Sequence, residues 1–123
     1  MTTSILATSV YRSITVSATS PGAGADVLYT VPPSFDSEIT LILITNSDVT
    51  EGSISIQVYH DDDGTYTNLI RSKAVDGNDT YSILMGATLH LHPNDSIVCY
   101  SSAGVFDVSL SGRHHFNPMR KFG

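Results

Sequence analysis

Alternating apolar and polar side chains dominate the chain, and the strongest such segment runs from Glu38 to Asn46 (EITLILITN). Apolar residues occupy both faces of an extended strand here: Ile39, Leu41 and Leu43 on one, Ile42 and Ile44 on the other. A strand that is apolar on both faces usually lies inside a sheet and is covered on both sides. A short buried helix is the competing interpretation, but the β-branched residues favour a strand.

Shorter segments on either side alternate more simply, with one apolar face each. They predict strands over residues 10–18, 27–31, 53–60, 66–73, 81–85, 87–91, 96–101 and 105–112. Proline, glycine, aspartate and asparagine separate these segments, as in the hairpin turn Asp61-Asp62-Asp63-Gly64. The pattern predicts a single all-β sandwich, jelly-roll or Ig-like, of about eight antiparallel strands with extended termini.

Composition and charge narrow the functional classes. The 123 residues suit one domain, rich in Ser and Thr and without Trp. A formal net charge of −6 disfavours nucleic acid as a partner. No apolar run is long enough for a membrane span, and the N-terminus lacks the pattern of a signal peptide, so we expect synthesis in a cytoplasm. Cys99 is the only cysteine, which excludes an intrachain disulfide.

The two ends differ from the sandwich segment, which we place at residues 1–112. Residues 1–9 are interpreted as an N-terminal arm, and residues 113–123 as a basic tail. The tail holds three of the six Lys and Arg residues and no acid, so it carries +3 while the rest of the chain carries −9. A basic, apolar extension on an acidic body suits docking onto an acidic copy or partner, although a frayed end is the alternative. The predicted partner-binding residues are Arg113, His114, His115, Phe116, Met119, Arg120, Lys121 and Phe122.

Candidate metal sites are weak in this sequence. The acids at 61–63 are adjacent rather than alternating and no bidentate glutamate follows, so a solvated turn is favoured over a calcium loop. His90 and His92 lie two apart on a predicted strand and face one side, a spacing that can hold zinc. Nothing fixes His60, His114, His115 or Cys99 near them. No metal and no cofactor is therefore predicted.

Catalytic motifs are also missing from the sequence. No G-x-S-x-G or phosphate-binding glycine loop occurs, and Cys99 is interpreted as a small buried residue. We therefore expect a protein that is not an enzyme. Exposed Tyr59, Tyr66 and Tyr81 are able to stack on sugar rings, which keeps a carbohydrate-binding module for host attachment as an alternative.

One long segment carries a resemblance to a known class of proteins. Asp26 to Asn46 (DVLYTVPPSFDSEITLILITN) resembles small structural proteins of tailed bacteriophages, with a strand ending in Y-x-V-P, a polar crossing and a long apolar strand ending in T-N. The matching positions are Tyr29, Val31, Pro32, Ile39, Ile42, Thr45 and Asn46. Leu91 to Tyr100 is similar to their L-x-x-G-D-S-I strand start, with Asn94 where glycine is usual, and Val105 to Gly112 fits their last strand.

The resemblance covers about two-thirds of the chain and implies a virion sandwich domain. Within that class, a capsid decoration or cement protein is the first choice, because small size and extended termini suit a clip across capsid subunits. A neck or tail structural protein is the alternative. The implied partners are other phage structural proteins, such as the major capsid protein, and further copies in a homo-oligomer. The implied location is the virion, assembled in the bacterial cytoplasm.

Overall fold

The computed structural model describes residues 7–17, 24–84 and 87–116, which form nine strands. They are β1 (Ala7–Ser17), β2 (Asp26–Thr30), β3 (Phe35–Asn46), β4 (Gly52–His60), β5 (Thr65–Val75), β6 (Thr80–Ile83), β7 (Leu89–Leu91), β8 (Ser96–Ala103) and β9 (Val105–Phe116). The predicted all-β architecture is confirmed. Within these ranges, no helix has the length and apolarity needed to cross a membrane.

Two antiparallel sheets hold the strands. Sheet A has the order β1-β9-β3-β6, with β7 also pairing with β3, and sheet B has the order β2-β8-β4-β5. β6 pairs with the second half of β3 and β7 with its first half, so these short strands together fill one position. Two sheets of four positions face each other in jelly-roll order, which is one of the two predicted sandwich types.

The inward faces of both sheets form one apolar core. Its fully buried members include Ile39, Ile42, Ile44, Ile54, Ile56, Ile97, Phe106, Val108 and Leu110. Each fully buried side chain of this size contributes about 1.5–3 kcal/mol to folding. Together they make the sandwich independent of disulfides.

Strand β3 is central in sheet A, as predicted, but the sandwich covers only one of its faces. Ile42 and Ile44 are fully buried, whereas Leu41 and Leu43 are half-buried on the outer face. The expected burial of both faces is therefore wrong. A two-layer sandwich has a second sheet on one side only, so the outer face keeps contact with solvent.

A bulge in β3 changes which side chains face the core. The pairing of β3 with β9 shifts between Ile39 and Leu41, so Thr40 is an extra residue. Ile39 therefore faces the core together with Ile42, although strict alternation places them on opposite faces. Gly112 lies against this bulge, and a Cβ there would sit 2.1 Å from the carbonyl oxygen of Glu38.

The sheet extends beyond the predicted limits of the sandwich. β1 begins at Ala7 rather than after residue 9, and β9 continues past Gly112 to Phe116. The residues beyond these limits pair with each other, Ala7 with His115 and Ser9 with Arg113. The last part of the expected arm and the first part of the expected tail are thus strand, because each supplies the hydrogen-bonding partner of the other. β3 likewise begins at Phe35, inside the expected crossing.

Buried polar side chains hold the turns. The amide of Asn46 donates hydrogen bonds to the carbonyl oxygens of Thr50 and Val75, both at 2.9 Å, and its oxygen accepts one from the Asp48 N–H at 2.9 Å. The Asp95 carboxylate accepts hydrogen bonds from the backbone N–H groups of Asp61 and His92.

A left-handed residue precedes β8. Asn94 has a φ of 68°, a conformation that glycine adopts freely and asparagine tolerates. This explains how asparagine occupies the position at which the resemblance expects glycine.

Candidate functional site

A cleft of about 200 Å³ opens where β3, β7 and β9 meet on the outer face of sheet A. We call it the acid–histidine cleft. Its lining residues are Asp36, Ser37, Glu38, His90, Leu91, His92 and His115. Two carboxylates and three imidazoles thus share one concave surface beside the paired ends of β1 and β9.

Strand register explains why these side chains converge. Glu38 pairs with Arg113 of β9 on one side and with His90 of β7 on the other, and Asp36 pairs with His115. Side chains opposite each other on neighbouring strands share a face. Alternation along β3 places Asp36 and Glu38 together on the outer face.

An ion pair with Arg113 and a contact with the His90 imidazole surround the Glu38 carboxylate. The Nε of Arg113 lies 3.3 Å from Oε1 of Glu38, and Nδ1 of His90 lies 4.0 Å from Oε2 of the same carboxylate. His90 and Arg113 are well exposed, at 68% and 63% of their side-chain area. These pairs therefore orient the carboxylate more than they stabilise the fold.

His114, the neighbour of His115, faces the interior of the sandwich. Its Nδ1 lies 3.3 Å from the hydroxyl of Tyr29, which also lies 2.7 Å from the Ser37 hydroxyl. The Phe35 ring packs beside the imidazole, with ring centroids 4.7 Å apart. This cluster ties the end of β9 to β2 and β3.

Both titratable groups of this inner cluster are shifted toward their neutral forms. Burial lowers the pKa of His114, and the charges of Arg12 and His115 add to the effect. Burial raises the pKa of Tyr29, opposed by its hydrogen bond to Ser37 and by Arg12. The cluster therefore acts as a neutral structural anchor at pH 7.

An apolar stripe continues the outer face beyond the cleft. Leu41 and Leu43 are half-buried on this face. Ser111 of β9 pairs with Leu41 on one side and with Tyr11 of β1 on the other, and the Tyr11 side chain is 64% exposed. The residues between them on β9 are serines, whose short side chains leave the leucines accessible. The outer face of sheet A thus has a charged end and an apolar middle.

The predicted partner-binding residues divide into two groups. Arg113, His114, His115 and Phe116 lie in β9, where Phe116 is 45% exposed and its ring contacts that of Phe35. Of the four, only His115 lines the cleft, with Arg113 at its border. Met119, Arg120, Lys121 and Phe122 lie outside the described residues. Their role in binding stays a prediction.

The weaker candidates for chemistry are structural in this fold. Among the described residues, no group of three or more His, Cys, Asp or Glu side chains is arranged to hold a metal. Asp63 accepts hydrogen bonds from the N–H and hydroxyl of Thr65, which lowers the pKa of its carboxyl. Burial raises the pKa of the Cys99 thiol to about 12, so the thiolate is not populated near neutral pH.

The tyrosines considered for sugar stacking contact other side chains. The Tyr59 and Tyr66 rings pack across β4 and β5 with centroids 5.0 Å apart and tilted by 51°. The Tyr81 ring lies 4.5 Å from the ammonium of Lys73.

Sequence reasoning missed Asp36 and Glu38 as site residues. The signal was present, since D-S-E places two acids on one face of any strand that includes them. Glu38 was placed at the start of the central strand but Asp36 in the polar crossing before it, and only the pairing of Asp36 with His115 of β9 reveals that residue as strand.

Comparisons with known proteins give a likeness of shape only. No protein-family model matches the chain, and no curated protein matches it. The chain is similar to a protein of the disulfide-linked pili that form Bacillus endospore appendages, with 16% identity, coverage of 91% of this chain and 88% of that one, and a TM-score of 0.49.

Two further solved structures show an equal or lower degree of likeness. The Drosophila NLP core has 13% identity, coverage of 85% of this chain and 97% of that one, and a TM-score of 0.49. The cyanophage Pam1 capsid has 11% identity, coverage of 89% and 84%, and a TM-score of 0.43. At such identities and scores, none of these proteins lends its role to this chain.

Proposed function

We propose that the chain is a non-enzymatic structural protein of a bacteriophage virion, and more specifically a capsid decoration or cement protein. Its outer sheet face and basic tail bind assembled subunits. The single observation that carries the proposal is the outer face of sheet A, where a charged cleft and an apolar stripe adjoin the paired chain ends.

The architecture supports this role at the level of fold. Jelly rolls recur in viral capsid and lectin domains, although a fold alone does not fix a function. The sequence resemblance to phage structural proteins points to the first of these two groups.

The composition of the surface supports binding through the chain ends. Apolar anchors supply most of the energy of an interface, and charges steer the partners together. Tyr11, Leu41 and Leu43 offer anchors on the sheet, and Met119 and Phe122 offer them in the tail sequence. Residues 1–112 carry −9 and residues 113–123 carry +3, so the basic tail complements the acidic body in charge.

The test is incorporation into particles by the full chain and by a chain ended after Phe116. This cut keeps every described strand, whereas a cut after Gly112 removes the end of β9. The shortened chain should keep its far-ultraviolet spectrum and lose most of its incorporation. Arg120→Lys, which keeps the tail and its charge, serves as the control and should incorporate like the full chain.

Copy number in purified particles separates the capsid from other positions. A decoration protein should be present in hundreds of copies, and a neck ring in about six or twelve. A chain that is absent from particles, or that incorporates equally well without its tail, contradicts the proposal.

A further inference from the structure

We propose that two copies of the chain join through the outer edge of β1, with residues 9–17 of one copy paired antiparallel to the same residues of the second copy. The two-fold axis of this pair passes through Ser13. The inference goes beyond the proposed function and does not depend on it. It assigns an interface to the backbone edge of β1 rather than to a face of the sheet.

β1 is an edge strand, so half of its backbone hydrogen-bonding groups point away from the sheet. It stands at the end of the strand order of sheet A, and among the described strands it pairs only with β9. It is 11 residues long, and its pairing with β9 has no shift of register. The Arg12 guanidinium donates a hydrogen bond to the Tyr11 carbonyl oxygen at 2.9 Å, and that oxygen has a second lone pair for a strand partner. A long and regular edge of this kind is a template for another strand.

The other described edges carry features that discourage pairing with a further strand. β2 has five residues and a bulge between Val27 and Tyr29. The opposite edge of sheet A is divided between β6 and β7, of four and three residues. β5 is as long as β1, but its pairing with β4 shifts register twice and it carries Arg71 and Lys73. Among the described edges, β1 is therefore the one that combines length, regular pairing and a single charged residue.

The side chains of β1 match one another when the axis passes through Ser13. Antiparallel strands place side chains of the same face opposite each other. In this register Val10 lies opposite Val16 of the second copy, and Tyr11 lies opposite Thr15. Val10 and Val16 belong to the buried face of β1, and Tyr11 and Thr15 belong to its exposed face. Each pair thus joins side chains with similar surroundings, and an aromatic side chain opposite a β-branched one stabilises a sheet.

Charge disfavours the neighbouring registers. An axis at Arg12 places the two guanidinium-bearing side chains opposite each other, and like charges in that position destabilise a sheet. An axis at Tyr11 places Arg12 opposite Val10, which is buried, whereas an axis at Ser13 places it opposite Ile14, which is half-buried. The charged side chain therefore keeps more of its hydration in the Ser13 register. Arg12 is the only charged residue between positions 9 and 17, so this edge brings no acid to the contact of two chains that each carry −6.

Self-complementarity selects a second copy rather than an unrelated strand. Every residue from 9 to 17 finds its partner within the same segment of the other copy, so β1 supplies its own complement. A two-fold pairing of this kind is isologous and closes after two copies. The two A sheets then form one continuous sheet with both β1 strands at its centre.

Charges placed at the axis test the pair in the full-length protein. Sedimentation equilibrium at pH 7.5 should show a concentration-dependent dimer for the unaltered chain. Ser13→Asp and Ser13→Lys should each weaken dimerisation by about tenfold or more, because each places like charges opposite each other across the axis. An equimolar mixture of the two variants should recover most of the dimer, since each mixed pair joins opposite charges. Thr67→Asp is the control, because it adds the same charge at an exposed position of β5, and it should dimerise like the unaltered chain.

Cysteine cross-linking tests the register. Two copies of the Ser13→Cys chain should form a disulfide under mild oxidation, because opposite Cα atoms in an antiparallel pair are about 4.5–5.5 Å apart. Ser9→Cys is the matched control on the same strand. Residue 9 lies opposite residue 17 of the second copy, so the two introduced cysteines are about 26 Å apart and should not cross-link. Cys99 is buried and common to both variants, and thermal melts should show every variant folded.

Three results would overturn the inference: an unaltered chain that is monomeric at high concentration, a mixture of the two Ser13 variants that stays monomeric, or Ser9→Cys cross-linking as readily as Ser13→Cys. Each is measured in solution on the purified chain. Their failure therefore leaves the proposed function untouched, since that function is tested by incorporation into particles.

Discussion

Leu43 and Ile44 are neighbours in the most apolar stretch of the chain, yet they have different surroundings. Ile44 is fully buried between the sheets, and Leu43 is half-buried on the outer face of sheet A. On the outer face, Leu43 pairs across the strands with Ser109 and Ser82. The two side chains are similarly hydrophobic, but only Ile44 faces the second sheet, and this decides which of them is buried.

Replacing each of the two by alanine should reveal this difference. Ile44→Ala leaves a cavity between the packed sheets and should lower the free energy of unfolding by about 2–5 kcal/mol. Leu43→Ala removes a side chain that solvent already reaches and should cost about 1 kcal/mol or less. Urea unfolding of both variants measures the two values. Equal losses would mean that the outer face of β3 is covered in the protein.

Polar residues inside the fold were the hardest to foresee. Asn46 and Asp95 are buried because their side chains satisfy backbone groups of turns that are distant in sequence. In the sequence, Asn46 ends the apolar segment that starts at Glu38, and Asp95 follows a proline and an asparagine; neither pattern indicates burial. The sequence does not show which backbone groups need a partner, so such side chains become visible only with the fold.

At the scale of elements, strands were predictable and their limits were not. Period-two alternation located β4 and β9 because each has one buried face. The ends of β1, β3 and β9 were missed because they are strand only through pairing with one another. The bulge at Thr40 was missed for the same reason, since an extra residue has no signature in a run of apolar side chains.

Gly112 marks the bulge and provides its test. Alanine in a strand interior is usually more stable than glycine by about 0.5–1 kcal/mol. Here the added Cβ would meet the Glu38 carbonyl oxygen at 2.1 Å and the Ile39 Cα at 2.8 Å. Both obstacles are backbone, so they cannot rotate away, and Gly112→Ala should destabilise the protein by about 1–3 kcal/mol.

Ser111→Ala is the control for this substitution, because it changes the neighbouring half-buried residue on the outer face. It should alter stability by less than about 0.5 kcal/mol. Chemical denaturation of both variants gives the comparison. A Gly112→Ala protein as stable as the unaltered chain would contradict the close approach of β3 and β9.

At the scale of the whole molecule, the acid–histidine cleft joins three parts of the chain. Residues 36–38, 90–92 and 113–115 are far apart in sequence and adjacent in sheet A. The pair His90 and His92 was recognised from its spacing, and the basic end from its composition. Their placement beside Asp36 and Glu38 follows from the jelly-roll topology. The sequence patterns predicted a sandwich of either jelly-roll or Ig-like type and did not choose between the two.

The whole fold is expected to stand without a bound metal. The acidic turn at 61–63 is held by protein groups, since Asp63 bonds to Thr65 and Asp95 bonds to the backbone of the turn. The apolar core provides the main stabilisation. Exhaustive EDTA treatment should therefore leave the melting temperature within about 1 °C of the untreated protein, because removing an unneeded ion changes no folding equilibrium.

Protein dialysed in the same buffer without EDTA is the control for that melt. Added Ca²⁺ or Zn²⁺ should also leave the transition unchanged, because an ion raises the melting temperature only if it binds the folded state. A fall of many degrees with EDTA, reversed by Ca²⁺, would assign the ion to the acidic turn. Reversal by Zn²⁺ alone would instead assign it to the cleft histidines.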